Sequence, residues 1–155
     1  MPKNLGKDST CSIARALDVV GDAWTLLIVR DAMIKGSTRF QEFRDGLGIA
    51  PNILAKRLSA LVDAGIMARR GYREEGARVR EEYVLTESGH GLSLVVGALA
   101  AWGRTHRPHP DGISPRFVAE RTGVEAELAF VTPDGELVSP SELSAGSTPD
   151  LRSVS

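Results

Sequence analysis

The stretch from Pro51 to Gly65 constrains this chain more than any other. Pro51 suits a first helical position, where its missing N–H costs no hydrogen bond, and Gly65 suits the residue that stops a helix. Leu54, Leu58, Leu61 and Val62 fall within about a quarter of the circumference of a helix over Pro51 to Ala64. The opposite face carries Asn52, Lys56, Ser59 and Asp63. Ala50 is the expected cap, and alanine caps about 1 kcal/mol less well than serine. Such a helix hides one side in a core and holds short polar side chains out to something else.

The flanking segments say what that core is. Ile13, Ala16, Leu17 and Val20 repeat at helical spacing, with Ser9 or Thr10 as cap and Gly21 as stop. Asp22 caps a second helix with the stripe Trp24, Leu27, Ile28 and Ala32, ended by Gly36. A short third helix over Arg39 to Leu47 points Phe40 and Phe43 inward, and Gly46 and Gly48 mark the following turn. Two strands come next, Ile66 to Arg73 and Val79 to Leu85, joined by the polar tip 74–78 with its glycine.

Thr86 then caps one long helix from Glu87 to about Thr105. Its main stripe is Leu92, Val95, Val96, Leu99 and Trp102, and Leu94, Ala98 and Ala101 make a second apolar line. A helix apolar on two sides is covered on both, and in so short a chain a partner subunit supplies the second cover. The first helix joins that seam with Ile13, Leu17 or Val20.

Helix, helix, helix, helix, strand, strand, helix is the winged helix-turn-helix order. The expected fold is mainly α with a small β wing, dimerising through the first and last long helices, plus a small C-terminal α/β appendage. The divisions are a polar arm over 1–10, the body over 11–107, an appendage over 108–143 and a disordered tail over 144–155. In the appendage Glu125 to Val131 alternates like a strand before the turn Thr132-Pro133-Asp134-Gly135, and a helical turn is expected around Phe117 to Arg121.

Charge bears on the partner. A net charge of −1 argues weakly against nucleic acid, but its distribution does not. Residues 30–80 carry 11 basic and 6 acidic side chains, and 108–155 carry 3 basic and 8 acidic. The basic middle is where the helix and hairpin lie. The wide major groove of DNA admits one helix, so Asn52 is placed to read adenine and Lys56 to meet a guanine edge or a phosphate. Arg69, Arg70, Arg73, Arg78 and Arg80 line the hairpin for the adjacent backbone or minor groove. The candidate DNA-binding set is Arg39, Pro51, Asn52, Ala55, Lys56, Arg57, Ser59, Arg73, Arg78 and Arg80. The candidate dimer set is Ile13, Leu17, Val20, Leu94, Ala98, Ala101 and Trp102. A module that binds protein instead of DNA is the alternative.

Catalysis is not expected. No nucleophile elbow or paired acid and base is spaced for it, and Gly46-x-Gly48 lacks the third glycine of a dinucleotide loop. No cofactor or metal is expected; His106 and His109 flank a proline without a third ligand. The lone Cys11 allows no internal disulfide, and no apolar run suits a signal peptide or a membrane span, so a cytoplasmic protein is expected.

The residues also resemble a known family. Cys11-Ser12-Ile13-Ala14-Arg15-Ala16-Leu17 and Gly21-Asp22-Ala23-Trp24-Thr25-Leu26-Leu27-Ile28-Val29-Arg30 are similar to the opening of the HxlR family of bacterial transcription regulators. The likeness continues through Arg39-Phe40-Gln41-Glu42-Phe43, Ile49-Ala50-Pro51-Asn52-Ile53-Leu54, Glu82-Tyr83-Val84-Leu85-Thr86 and Ala101-Trp102-Gly103. It implies a dimeric DNA-binding regulator with one reading helix per half-site, expected to be a repressor of a palindromic operator. Control by a small molecule or oxidant is part of that expectation, with the effector unknown. It also puts Cys11 where several members carry a redox-sensing cysteine; the alternative is a small, buried, inert side chain. Ala50 stands where serine is frequent and Gly76-Ala77 where prolines are, which suggests a looser wing.

Overall fold

The computed structural model describes residues 6, 8–73, 75–76, 78–112 and 114–144. Two compact units divide between Pro115 and Arg116. The first begins with α1 (Ser12–Val20) and α2 (Ala23–Arg30), which runs into a π-helical turn at Asp31–Lys35. It goes on through α3 (Phe40–Leu47), α4 (Pro51–Asp63), the antiparallel pair β1 (Met67–Tyr72) and β2 (Arg80–Leu85), then α5 (Glu87–Gly91) and α6 (Ser93–His106). This is a mainly helical winged fold.

The core gathers on α4. Leu54, Leu58 and Leu61 pack with Ile28 and Val29 of α2 and Phe43 of α3, all essentially without solvent contact, and Met67 closes the side toward β1. Asp22 caps α2 by accepting a hydrogen bond from the Thr25 N–H at 3.3 Å. Ala50 makes no side-chain cap for α4, as its chemistry requires. Gly48 ends α3 at φ 62°, a left-handed conformation that a β-carbon disfavours, and so turns the chain into α4 within three residues. α2 buries Thr25, Ile28 and Val29, while Trp24, Leu27 and Ala32 stay half-buried, because the π turn rotates the expected stripe away from the core.

Three expectations change. The long last helix is two helices joined at Leu92. Gly89 lies so close to the Ile66 carbonyl that any β-carbon there would collide with it, and Thr86 both caps α5 and donates its hydroxyl to the Gly65 carbonyl at 2.6 Å. α5 is thus tied to the end of α4, and α6 departs on its own course. Second, Val20 is buried in the protomer, 6% exposed, and so leaves the set offered to a partner. Third, α1 starts after Cys11, not after Ser9 or Thr10; the Ser9 hydroxyl accepts from the Cys11 N–H, one turn early.

The second unit holds two small hairpins. β3 (Phe117–Val118) pairs with β4 (Glu125–Ala126), and β5 (Phe130–Val131) with β6 (Leu137–Val138), before a 3-10 turn at Pro140–Glu142. The turn at Thr132 to Gly135 stands where expected. Phe117 is in a strand, not a helical turn, because it pairs with Ala126 across the Ala119 to Gly123 turn. Most of the 1–10 arm, two positions of the 74–78 tip and nearly all of the 144–155 tail lie outside the described residues.

Candidate nucleic-acid interface

Asn52, Ala55, Lys56 and Ser59 are spaced three and four residues apart, so they share one face of α4, opposite the buried Leu54, Leu58 and Leu61. Pro51, Asn52, Ala55 and Lys56 are exposed and Ser59 is half-buried. The outward surface at the start of α4 is short-chained and polar, with one long cation. That surface can enter a groove and donate to base edges without a bulky side chain holding it off.

Arg57 does not belong to that face. Its guanidinium binds the Asp22 carboxylate at 2.8 Å, and its Nε is buried without a partner. Asp22 therefore caps α2 and anchors α4 at once. Arg57 was expected at a phosphate; the structure makes it a positioning residue, fixing the rotation of α4 on the core.

The wing is joined to α3 by contacts that sequence reasoning missed. The Tyr83 N–H donates to the Thr38 carbonyl at 2.7 Å, adding a third short rung beside β2. The Arg39 guanidinium lies 4.5 Å above the Tyr72 ring, and Tyr72 faces Arg80 across the hairpin. Arg39 is thereby held between α3 and the wing. Arg70 pairs with Glu82 at 2.8 Å, and this cation, followed by Thr38, holds the Glu82 carboxyl below its usual range. Glu42 accepts from the Thr38 and Arg39 N–H groups at 2.8 and 3.0 Å, which lower its pKa with Arg39 the larger cause. The alternation of β1 was the available signal: Arg70 and Tyr72 share a face, so their cross-strand partners Glu82 and Arg80 had to meet them. Arg69, Arg73, Arg78 and Arg80 are exposed.

Of the candidate dimer set, Ile13 and Leu17 on α1 are 69% and 51% exposed. Leu94 and Trp102 on α6 are 65% and 54% exposed; Ala98 is exposed and Ala101 half-buried. Trp102 stacks at 5.1 Å on His106 and lies 5.4 Å from the Arg107 guanidinium. Cys11 is exposed at the start of α1, so the expectation of a buried, inert thiol does not hold. Among the described residues no three metal-ligating side chains gather, and no helix is long and apolar enough to cross a membrane.

A model of the HxlR-like helix-turn-helix family matches residues 19–111, from the end of α1 past the end of α6. The chain belongs to that family. It is accordingly a helix-turn-helix transcriptional regulator of the DNA-binding kind. An HTH-type transcriptional regulator of Mycobacterium tuberculosis, itself uncharacterised, is 35% identical over 136 residues, covering 79% of this chain and 84% of the relative. The crystal structure of PA1607, assigned as a transcription factor, is 37% identical with a TM-score of 0.76, covering 90% of this chain and 96% of that one. Coverage that wide carries the likeness beyond residue 111, where the HxlR-like match ends. The redox regulator HypR in its reduced form is 33% identical with a TM-score of 0.55, over 63% of this chain and 94% of its own.

Proposed function

We propose that this HxlR-like protein binds a two-fold operator in duplex DNA as a homodimer and represses transcription by occupying it. The observation that carries the reading is the outward face of α4, Asn52, Ala55, Lys56 and Ser59, flanked by the exposed wing cations Arg78 and Arg80. In each subunit α4 enters the major groove, with Asn52 toward a base and Lys56 toward a guanine edge or a phosphate. Arg39, Arg73, Arg78 and Arg80 neutralise phosphates beside it. The partner subunit covers Ile13 and Leu17 of α1 and Leu94, Ala98, Ala101 and Trp102 of α6. A two-fold axis then sets half-sites about one helical turn apart. A protein seated over a promoter blocks polymerase, which is why repression is the expected sign.

The test is the salt dependence of affinity. For a dimer making roughly 6 to 10 phosphate contacts, the slope of log K against log salt should fall between about −5 and −10. A slope near zero for an operator-length duplex would leave a protein-binding module as the better reading.

Cys11 supports redox control, because its thiol is exposed at the start of a helix whose Ile13 and Leu17 face the proposed seam. Two Cys11 thiols, one per subunit, would give two electrons and two protons to hydrogen peroxide, forming one disulfide and two waters. Non-reducing gels should show a linked dimer from the parent and none from Cys11→Ser; a link in both sinks the idea.

A further inference from the structure

An apolar pocket of about 220 Å³ lies between α2 and α6. Leu26 and Leu27 form one wall, Val96, Leu99 and Ala100 the other, and Pro115 closes one end. An apolar cavity of about 150 Å³ already takes benzene, so on that scale this one has room for roughly eight or nine non-hydrogen atoms. Among its lining residues Arg30 alone is charged. Its Nε and Nη2 bind one oxygen of the buried Asp31 carboxylate, at 2.8 and 2.6 Å. A guanidinium has five N–H bonds, so those two leave three for a second acceptor.

The pocket does not lie on the side of α6 assigned to the partner subunit. At about 100° per residue, Leu94 and Ala98 point roughly 160° away from Val96, whose side chain lines the pocket. A second copy seated on Leu94 and Ala98 therefore leaves the pocket to a smaller occupant. The walls call for hydrocarbon and the single cation calls for an anion.

We propose that this pocket binds a small organic acid, its carboxylate on Arg30 and a hydrocarbon body of about five to seven carbons between α2 and α6. The proposal deepens the regulatory reading above and rests on it for its consequence at DNA. Asp31 provides the connection. Its second oxygen holds Lys35 at 2.9 Å and sits beside Gly46 of α3, where a β-carbon would come within 3.2 Å. An acid that draws on Arg30 loosens the hold on Asp31, and with it the seat of α3 under the reading helix. Because coupling is reciprocal, DNA must change acid affinity by the same factor that the acid changes DNA affinity.

Calorimetric titration of the full chain with butanoate, hexanoate, octanoate and decanoate reads the site without DNA. Affinity should rise about fourfold per methylene and flatten near hexanoate to octanoate, where the pocket is full. Hexanamide should bind at least tenfold more weakly than hexanoate. Ala100→Phe fills the space and should abolish binding, with its sedimentation unchanged. Arg30→Gln should keep the chain-length gain and lose the preference for acid over amide. No saturable binding by the parent overturns the proposal, as does a gain that continues undiminished to decanoate. Equal affinity for hexanamide overturns the role of Arg30. A parent that takes no acid, with Ala100→Phe dissociating the dimer, would give the pocket to the second copy and overturn it too. A parent that binds DNA but no acid sinks this inference alone; one that binds hexanoate but no DNA sinks the operator reading and leaves the pocket.

Discussion

α4 and α6 have almost the same length and both carry leucines at helical spacing, yet they spend them differently. α4 buries Leu54, Leu58 and Leu61 to 1% exposure or less, whereas α6 buries only Val96 and Gly97. α4 is packed on by α2, α3 and β1, so its apolar side is satisfied within one chain and its polar side is free to be a reading surface. The apolar side chains of α6 stay half exposed, so most of their stabilisation becomes available only on association. The reading helix is set by the protomer; α6 is set by whatever covers it.

The largest effect expected from that contrast is on stability. Leu58→Ala removes a fully buried side chain and should cost about 2–5 kcal/mol, as a lower urea midpoint that does not depend on protein concentration. Leu99→Ala, on the half-exposed side of α6, should cost far less. Equal, concentration-independent losses would break the contrast.

Next comes the same substitution on each helix. Ala98→Glu puts two like charges into the proposed seam and should raise the dimer dissociation constant by about a hundredfold or more, near 3 kcal/mol. Ala55→Glu lies on the exposed face of α4 and should leave sedimentation alone while weakening DNA binding through repulsion of phosphate. A parent that sediments as a well-folded monomer at micromolar concentration would remove the seam and the two-fold operator together.

Within the DNA surface, Asn52→Ala should reduce discrimination between sites by about 1–3 kcal/mol. Arg78→Ala should weaken all sequences evenly and make the salt slope shallower by about one. Unchanged sequence preference in Asn52→Ala would mean that α4 is turned otherwise than Arg57 and Asp22 imply.

The smallest effect is acid sensitivity, and it belongs to the α3–wing junction. Glu42 and Glu82 both have carboxyl pKa values below the ordinary 4.5 in the folded chain. A depressed carboxylate contributes stability fully above its unfolded pKa and loses it as pH falls through the lowered folded value. Thermal stability should therefore be level with respect to these groups near neutrality and decline below about pH 4.5. Glu82→Gln should flatten part of that decline; an acid limb identical to the parent's would show that the Arg70 pairing contributes nothing.

The sequence by itself determined the pieces set by neighbours within a turn or two of chain. These are the Asp22 and Thr86 caps, the start of α4 at Pro51, the glycine stop at Gly48, the buried line Leu54-Leu58-Leu61, and the wing as two basic strands. The outward Asn52, Lys56 and Ser59 followed from the same periodicity. Tertiary structure alone decided what depends on the placement of distant segments. Arg57 looked like another phosphate contact until α2 brought Asp22 to it from 35 residues away. Tyr72 gained its role only when α3 set Arg39 above it, and the last helix broke at Leu92 because Gly89 had to meet the Ile66 carbonyl. The physical reason is that helical periodicity and capping are fixed by local backbone hydrogen bonds, whereas a long charged side chain takes the partner that packing brings within about 3 Å.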